Sequence, residues 1–539
     1  MNRFEKFLKR THIIGLSLLA AFFYLGRDII IYAFLQLLDI NEYNSLYSLI
    51  PYLVYILLTG IWILLAFTMW REEMYNAKTG RHYSTDHGAY HRTYAELVRY
   101  FQDADPHKLD TTAFPSVSWK NYDGIVIGHT GSRLIGVGAD CESNIAVFGP
   151  PGTGKTSGFA IINALRFPGS VLAIDIKGDI YNFVRKHSKR KIIRFCPDHP
   201  DALRVSAHFD PLAGIMEMDP TDRKLYLQSM ATVLIPDEGG SDGNYFSSRA
   251  RKFYQGIVQL LLYQNPHTSF PDIVHAILSG NPFDWVNAAI GSDCIEAKEQ
   301  LSSFYGNSEK NVSGVYDALC NSIVFFSSPV LDELLTNNGR CVSIKTLEKG
   351  ADVYLQIAQE HLKAYAPLFT LIIQSFSTSF TKRPDSSTGV KNLPILMLLD
   401  EFPQLTFSYD MINSNLSTLR SKSVITTVIM QNLSQCEYRY QPAGARSIVG
   451  NCNFQLILGS NDPASSKSFS DLFGDRKVLR SSTSESKSDQ TSVGRSSQET
   501  REPIFFPNDF GDLKDSGDMV VYFAGKHCRC KKYNCYKDF

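Results

Sequence analysis

Apolar and polar positions follow three different rhythms along the chain. Near the amino terminus the apolar residues are almost unbroken, from Ile13 to about Leu38 and again from Leu49 to Trp70. From Trp119 onward, short apolar runs of strand length alternate with segments of helical period. Between about 216 and 345 the short runs fade, and helical patterns such as RKLYLQSMATVLI, FSSRARKFYQGIVQLLLYQ and FPDIVHAILS follow one another across polar and Gly/Pro breaks. Strand-length runs return at Asp352 to Ile357 and continue to Met519–Phe523. Alternating strands and helices predict an α/β domain with a largely parallel sheet, and the helical stretch predicts an all-α domain inserted into it.

The amino-terminal rhythm belongs to a membrane. Leu49 to Trp70 is 22 residues without a charge, and about 33 Å of helix at that length crosses a hydrocarbon core. The first apolar stretch is interrupted by Arg27-Asp28, which reads as a mutually paired couple near an interface. No small-residue cleavage site follows, so a two-helix hairpin over 1–72 is expected, with spans at about 13–38 and 49–70. Arg3, Lys6, Lys9 and Arg10 precede it, Arg71, Lys78, Arg81 and Arg92 follow it, and the connecting DINEYNS holds no Lys or Arg. The positive-inside rule then puts both termini in the cytoplasm, with the small connecting loop outside. Residues 73–118 read as a polar juxtamembrane linker. Its His82, His87 and His91 could share one helical face but read as part of a solvated stalk rather than as a metal set.

Within the α/β part, one junction carries chemistry. The run Ile145-Ala146-Val147-Phe148 stops at Gly149, and GPPGTGKT continues into a helix-compatible segment. This is the phosphate-loop pattern in its strand–loop–helix setting. Gly149, Pro150, Pro151, Gly152, Thr153 and Gly154 form the loop around the phosphates, in which Gly152 and Gly154 let backbone N–H groups converge; Lys155 answers phosphate charge, and Thr156 is suited to ligate Mg²⁺. The expected ligands are ATP and Mg²⁺. A second strand ending in acid is then needed, and two compete. Asp175 closes VLAIDIK but is followed by Ile and Lys. PILMLLDEF ends in Asp400-Glu401, whose side chains point apart, so Asp400 serves the metal and Glu401 the attacking water. The second is favoured. It divides the nucleotide-binding domain into 119–215 and 346–539, with the all-α insertion at 216–345. Residues 480–500, rich in Ser and Thr without apolar periodicity, are expected to be a flexible loop.

Composition changes this picture little. Lys plus Arg and Asp plus Glu number 54 each, so no bulk charge announces nucleic acid. The basic run Arg185 to Arg194 reads as a solvated helix end. Ten cysteines without paired spacing in the body read as reduced thiols of a cytoplasmic domain, and the CxC at Cys528 and Cys530, with Cys535, lacks the second pair that a zinc site requires.

With these residues in place, the chain resembles the coupling proteins of type IV secretion systems, conjugative DNA-transfer ATPases of the TraG/TraD kind. The resemblance rests on GPPGTGKT (149–156), AIDIKGD (173–179), HFDPLAG (208–214), LLDEFPQL (398–405), MQNLSQ (430–435) and ILGSNDPASSKSFSDLFG (457–474). Asp179 departs from a position where that family often has Glu, and the region around Arg420 matches only loosely. The resemblance implies a RecA-like domain assembled as a homohexamer around a DNA channel. In that scheme Gln431 senses the γ-phosphate. Two readings of Arg420 stay open, a surface helix-end arginine or a finger reaching into the neighbour's site. The implied partners are secretion-channel components and a relaxase–DNA complex, with protein effectors as the alternative cargo. A non-hydrolytic docking adaptor is a further alternative, against which Lys155, Thr156, Asp400 and Glu401 stand.

Overall fold

The computed structural model describes residues 124–537, apart from 131–132, 140–141, 238–240, 339, 487–491 and 524. The expected membrane hairpin, the linker and residues 119–123 lie outside the described residues. Among the described residues no helix is long and apolar enough to cross a membrane.

The architecture is an 11-stranded mixed sheet flanked by helices, in the order β2-β1-β13-β12-β9-β3-β8-β7-β4-β6-β5. The hairpin β1 (Gly124–Thr130) and β2 (Arg133–Gly138) comes first, then β3 (Ile145–Phe148), β4 (Ser170–Ile176) and β5 (Ile192–Phe195). After the helical stretch come β6 (Asp352–Ile357), β7 (Ile395–Leu399), β8 (Val424–Met430) and β9 (Phe454–Ile457). The run from β9 to β5 is parallel throughout. β12 (Asp518–Phe523) and β13 (Lys526–Lys531) extend it antiparallel to β1 and β2.

Why these runs become buried strands is visible in β7, Ile-Leu-Met-Leu-Leu, where every residue is buried. A parallel strand is covered on both faces, so it needs apolar residues at both parities. Ile395, Met397 and Leu399 enter one core, Leu396 and Leu398 the other. β3 divides likewise, with Ala146 and Phe148 on the first side and Ile145 and Val147 on the second. The first core is continuous with the helices that lie between β5 and β6, through Tyr226, Phe253 and Leu319. Those helices include Pro220–Leu234, Ser241–Gln264, Phe270–Ser279 and Glu309–Ile323. Several open on a polar cap with Pro in the first turn, as at Asp219-Pro220, Asn281-Pro282 and Ser328-Pro329.

One sequence expectation changes, at residues 480–500. Two long antiparallel strands, β10 (Asp475–Ser486) and β11 (Ser492–Pro503), pair there instead of a flexible loop. Its twelve regular pairs need no apolar alternation, because the ribbon pairs with itself and no core dictates its parity. The CxC of Cys528 and Cys530 is strand periodicity: both face inward from β13 while His527 and Arg529 are only half-buried. Cys528, Cys530 and Cys535 belong to the second core. No cluster of metal-binding residues forms among the described residues.

The start of β3 is fixed by a buried polar side chain. Asn144 donates from Nδ2 to the carbonyls of Leu416 and Asn451 and accepts at Oδ1 from the Thr426 amide. Asn144→Ala would strand those buried groups, so it should lower unfolding free energy by about 2–4 kcal/mol. Denaturant melting checks this, and an unchanged midpoint would remove Asn144 from the role.

Candidate active site

Strand order decides which side chains meet. β8 lies between β3, which feeds the phosphate loop, and β7, which ends in Asp400-Glu401. The ends of these three parallel strands therefore bring together the loop, Gln431 just past β8, and the acid pair.

The loop is tightly built. The Gly149 amide donates to the Met430 carbonyl, and a Cβ at Gly149 would lie 2.4 Å from Thr153 Oγ1. Thr153 closes the turn by donating from Oγ1 to the Pro150 carbonyl, 2.8 Å. Gly152 and Gly154 have φ of 82° and 93°, where a side chain is strained. A π-helical turn, Lys155–Ala160, leads into the helix Ile161–Arg166 and carries Thr156 half-exposed. Such turns concentrate at functional sites. Lys155 is buried, and Nζ donates to the Gly149 carbonyl at 2.6 Å.

Across from the loop, the acids are held in place. Asp400 is buried and accepts from the Glu401 amide at Oδ1, 3.0 Å. Glu401 adopts the left-handed region at φ 48°, an uncommon state for a non-glycine that clusters at functional sites. Its carboxylate accepts from Gln431 Nε2 at 3.1 and 3.3 Å and from Gln404 Nε2 at 3.0 Å. Gln404 was not singled out from the sequence, although it lies within the LLDEFPQL motif. Burial pushes the Asp400 carboxyl up to about 7, with Glu401 adding repulsion and Lys155 opposing it. Burial also lowers the Lys155 ammonium, against the pull of Glu401 and Asp400.

Other motif residues fall into supporting places. Asp175 accepts from the Ile180 and Tyr181 amides and from Gln356 Nε2. It thus holds the first turn of the helix Asp179–His187, and burial raises its carboxyl to about 6. Asp462 accepts from the Ser434 and Ser465 hydroxyls, and Ser465 Oγ takes the Leu433 amide, which braces the turn after Gln431. Arg420 is not brought to this constellation. It is exposed in the 3₁₀ turn Leu419–Lys422, before β8 begins, on the order of 20 Å from that strand's far end.

The residues present fit a magnesium nucleotide. Positive-φ glycines open the loop, Thr156 stands at its exit, and among the described residues the buried Asp400 carboxylate has one backbone donor to hold it.

Fold and site together define a phosphate-loop protein with an added strand between loop strand and acid strand. A family model described as type IV secretory system conjugative DNA transfer matches residues 109–538, and the chain belongs to that family. It is 22% identical over 395 residues to Protein VirD4 of Agrobacterium fabrum (strain C58 / ATCC 33970), covering 73% of this chain and 58% of that one. The chain thus spans well under two thirds of that relative. To conjugal transfer protein TraG of Escherichia coli it is 20% identical over 476 residues, 80% of this chain and 71% of the relative. Among solved structures it is similar to the unbound conjugative coupling protein TrwBdeltaN70, with a TM-score of 0.59 and 17% identity over 77% of this chain and 91% of that one. TrwB in complex with ADP and Mg²⁺ aligns at a TM-score of 0.55 and 17% identity, over 74% and 86%. At these identities the structures establish the fold.

The raised Asp400 carboxyl has a stability consequence. Its folded-state value, about 7, exceeds the ordinary 3.8, so the folded protein holds that proton more tightly than the unfolded chain. Ionising it disfavours folding increasingly from pH 4 to pH 7. Asp400→Asn should therefore melt higher than the native chain at pH 8 and at the same temperature at pH 4, in nucleotide-free and Mg²⁺-free buffer. A pH-independent difference would contradict this assignment.

Proposed function

We propose that the chain is an ATPase anchored in the bacterial inner membrane that couples ATP hydrolysis to DNA transfer through a type IV secretion channel. One observation carries the reading: Lys155, Asp400, Glu401 and Gln431 converge at the ends of three adjacent strands. Lys155 binds the β- and γ-phosphates once its ammonium leaves the Gly149 carbonyl. Thr156 and Asp400 would hold Mg²⁺, which supplies charge neutralisation to the transferred phosphoryl group. Glu401, steadied by Gln404 and Gln431, accepts the proton of the attacking water. Gln431 reports the γ-phosphate to the acid it touches.

In this reading the chain works as a homohexamer. The exposure of Arg420, far from its own subunit's loop, suits a finger for the adjoining site, where a guanidinium fork stabilises phosphoryl charge. The two-helix hairpin at 1–72 anchors the ring with both termini in the cytoplasm, and 216–345 is an inserted all-α domain. The partners are channel components and a relaxase–DNA complex, as family membership suggests. Protein effectors are the second cargo class.

Full-length Glu401→Gln should lose at least about 100-fold in kcat while still binding ATP. Phosphate release and equilibrium nucleotide binding measure the two. Single-stranded DNA should stimulate the native enzyme, less so as salt rises. Undiminished turnover would remove Glu401 as base, and transfer of a protein by a chain that never binds DNA would favour effectors.

A further inference from the structure

The parallel part of the sheet ends at β5, and its outer edge is largely open. Lys191 and Ile193 face β6, since the Asp352 amide donates to the Lys191 carbonyl and the pairing sets Ile192 opposite Asp352. Ile192 and Arg194 therefore present their backbone groups outward. Of these, the Arg194 carbonyl takes the Ala207 amide, and no described residue bonds the Ile192 amide or carbonyl. Exposed strand edges invite another strand.

Beside this edge is a hollow of about 690 Å³ lined by Lys191, Arg194, Arg340, Lys345 and Lys349, with no Asp or Glu in its walls. Among the described residues none of these five forms an ion pair. Among the described residues the Arg340 guanidinium donates to the backbone carbonyls of Leu203 and Arg204 and to no side chain. In a chain of zero net charge, this concentration is local, and it lies away from the phosphate loop's strand by the width of β8, β7, β4 and β6. The carboxyl half of the basic run Arg185–Arg194 thus joins Arg340, Lys345 and Lys349, which spacing in the sequence does not reveal.

We propose that the β5 edge and its cationic hollow bind an extended acidic peptide segment of a partner protein. The backbone groups of Ile192 provide strand pairing, and the five cations receive alternating carboxylates. Nucleic acid fits this hollow less well. Binding single strands uses exposed aromatic faces for stacking, but the one aromatic in the wall, Tyr181, is buried with the Arg194 guanidinium 5.1 Å over its ring.

The test uses the full-length chain and a fluorescein-labelled peptide, Glu-Val-Glu-Val-Glu-Glu, read by anisotropy. The matching lysine peptide and a dodecamer of thymidylate are run alongside. The glutamate peptide should bind saturably, the lysine peptide should not, and K191E/K345E/K349E should weaken binding about tenfold or more. ATP turnover should stay unchanged in that variant, which separates this site from the catalytic one. Ile192→Pro removes the outward amide without touching the β6 pairing and should also weaken the peptide. Equal binding to the triple variant overturns the proposal. So does thymidylate binding that depends on the three lysines while the peptide fails. Loss of the chain's own oligomerisation in the triple variant would make the occupant a second copy, and would overturn it as well.

Discussion

The site depends on burying an ammonium and a carboxyl group at the ends of neighbouring strands. Lys155 and Asp400 are both buried, and each perturbs the other's proton affinity. Water screens surface pairs, but charges removed from water interact strongly and are costly when unpaired. The fold meets that cost with fixed dipoles: the Gly149 carbonyl receives the ammonium, and the Glu401 amide faces Asp400. A phosphate anion arriving at the loop replaces the carbonyl as the ammonium's partner, so binding and charge compensation are one event. That is why the loop, the acids and the strand order cannot be considered apart.

β8 does the separating and the linking. Inserted between β3 and β7, it leaves room across the site and sets Gln431 within hydrogen-bond reach of Glu401. The strained φ of Glu401 is tolerated because Gln404, Gln431 and the buried Phe402 secure its surroundings. Behind them, the Asp462–Ser434–Ser465 cluster braces the turn that carries Gln431. The motif at 457–474 thereby acquires a physical role at the site's rear wall.

Much of this was legible in the residues, for identifiable reasons. The parallel strands announce themselves because burial on two faces demands unbroken apolar runs, as at 395–399. The phosphate loop is legible because backbone N–H groups converge only where glycine permits. Strand order is different: nothing in the spacing of Phe148, Met430 and Leu399 states that β8 lies between the other two. The pairing of β10 with β11 is not legible because a ribbon pairing with itself leaves no apolar signature. The CxC spacing of Cys528 and Cys530 equals the period of a strand and brings both thiols to one face of β13. The cationic hollow was invisible for a related reason, since Lys191 and Lys349 are 158 positions apart and meet only when β5 and β6 pair.

The claim that Gln431 works through Glu401 is tested most directly by a double-mutant cycle on ATP turnover, using Glu401→Ala, Gln431→Ala and the double variant. If the two act as one unit, the double variant turns over no more slowly than Glu401→Ala alone, because the hydrogen bond is already lost. If the two losses multiply, the residues act independently, and the account of the site given by strand order is contradicted.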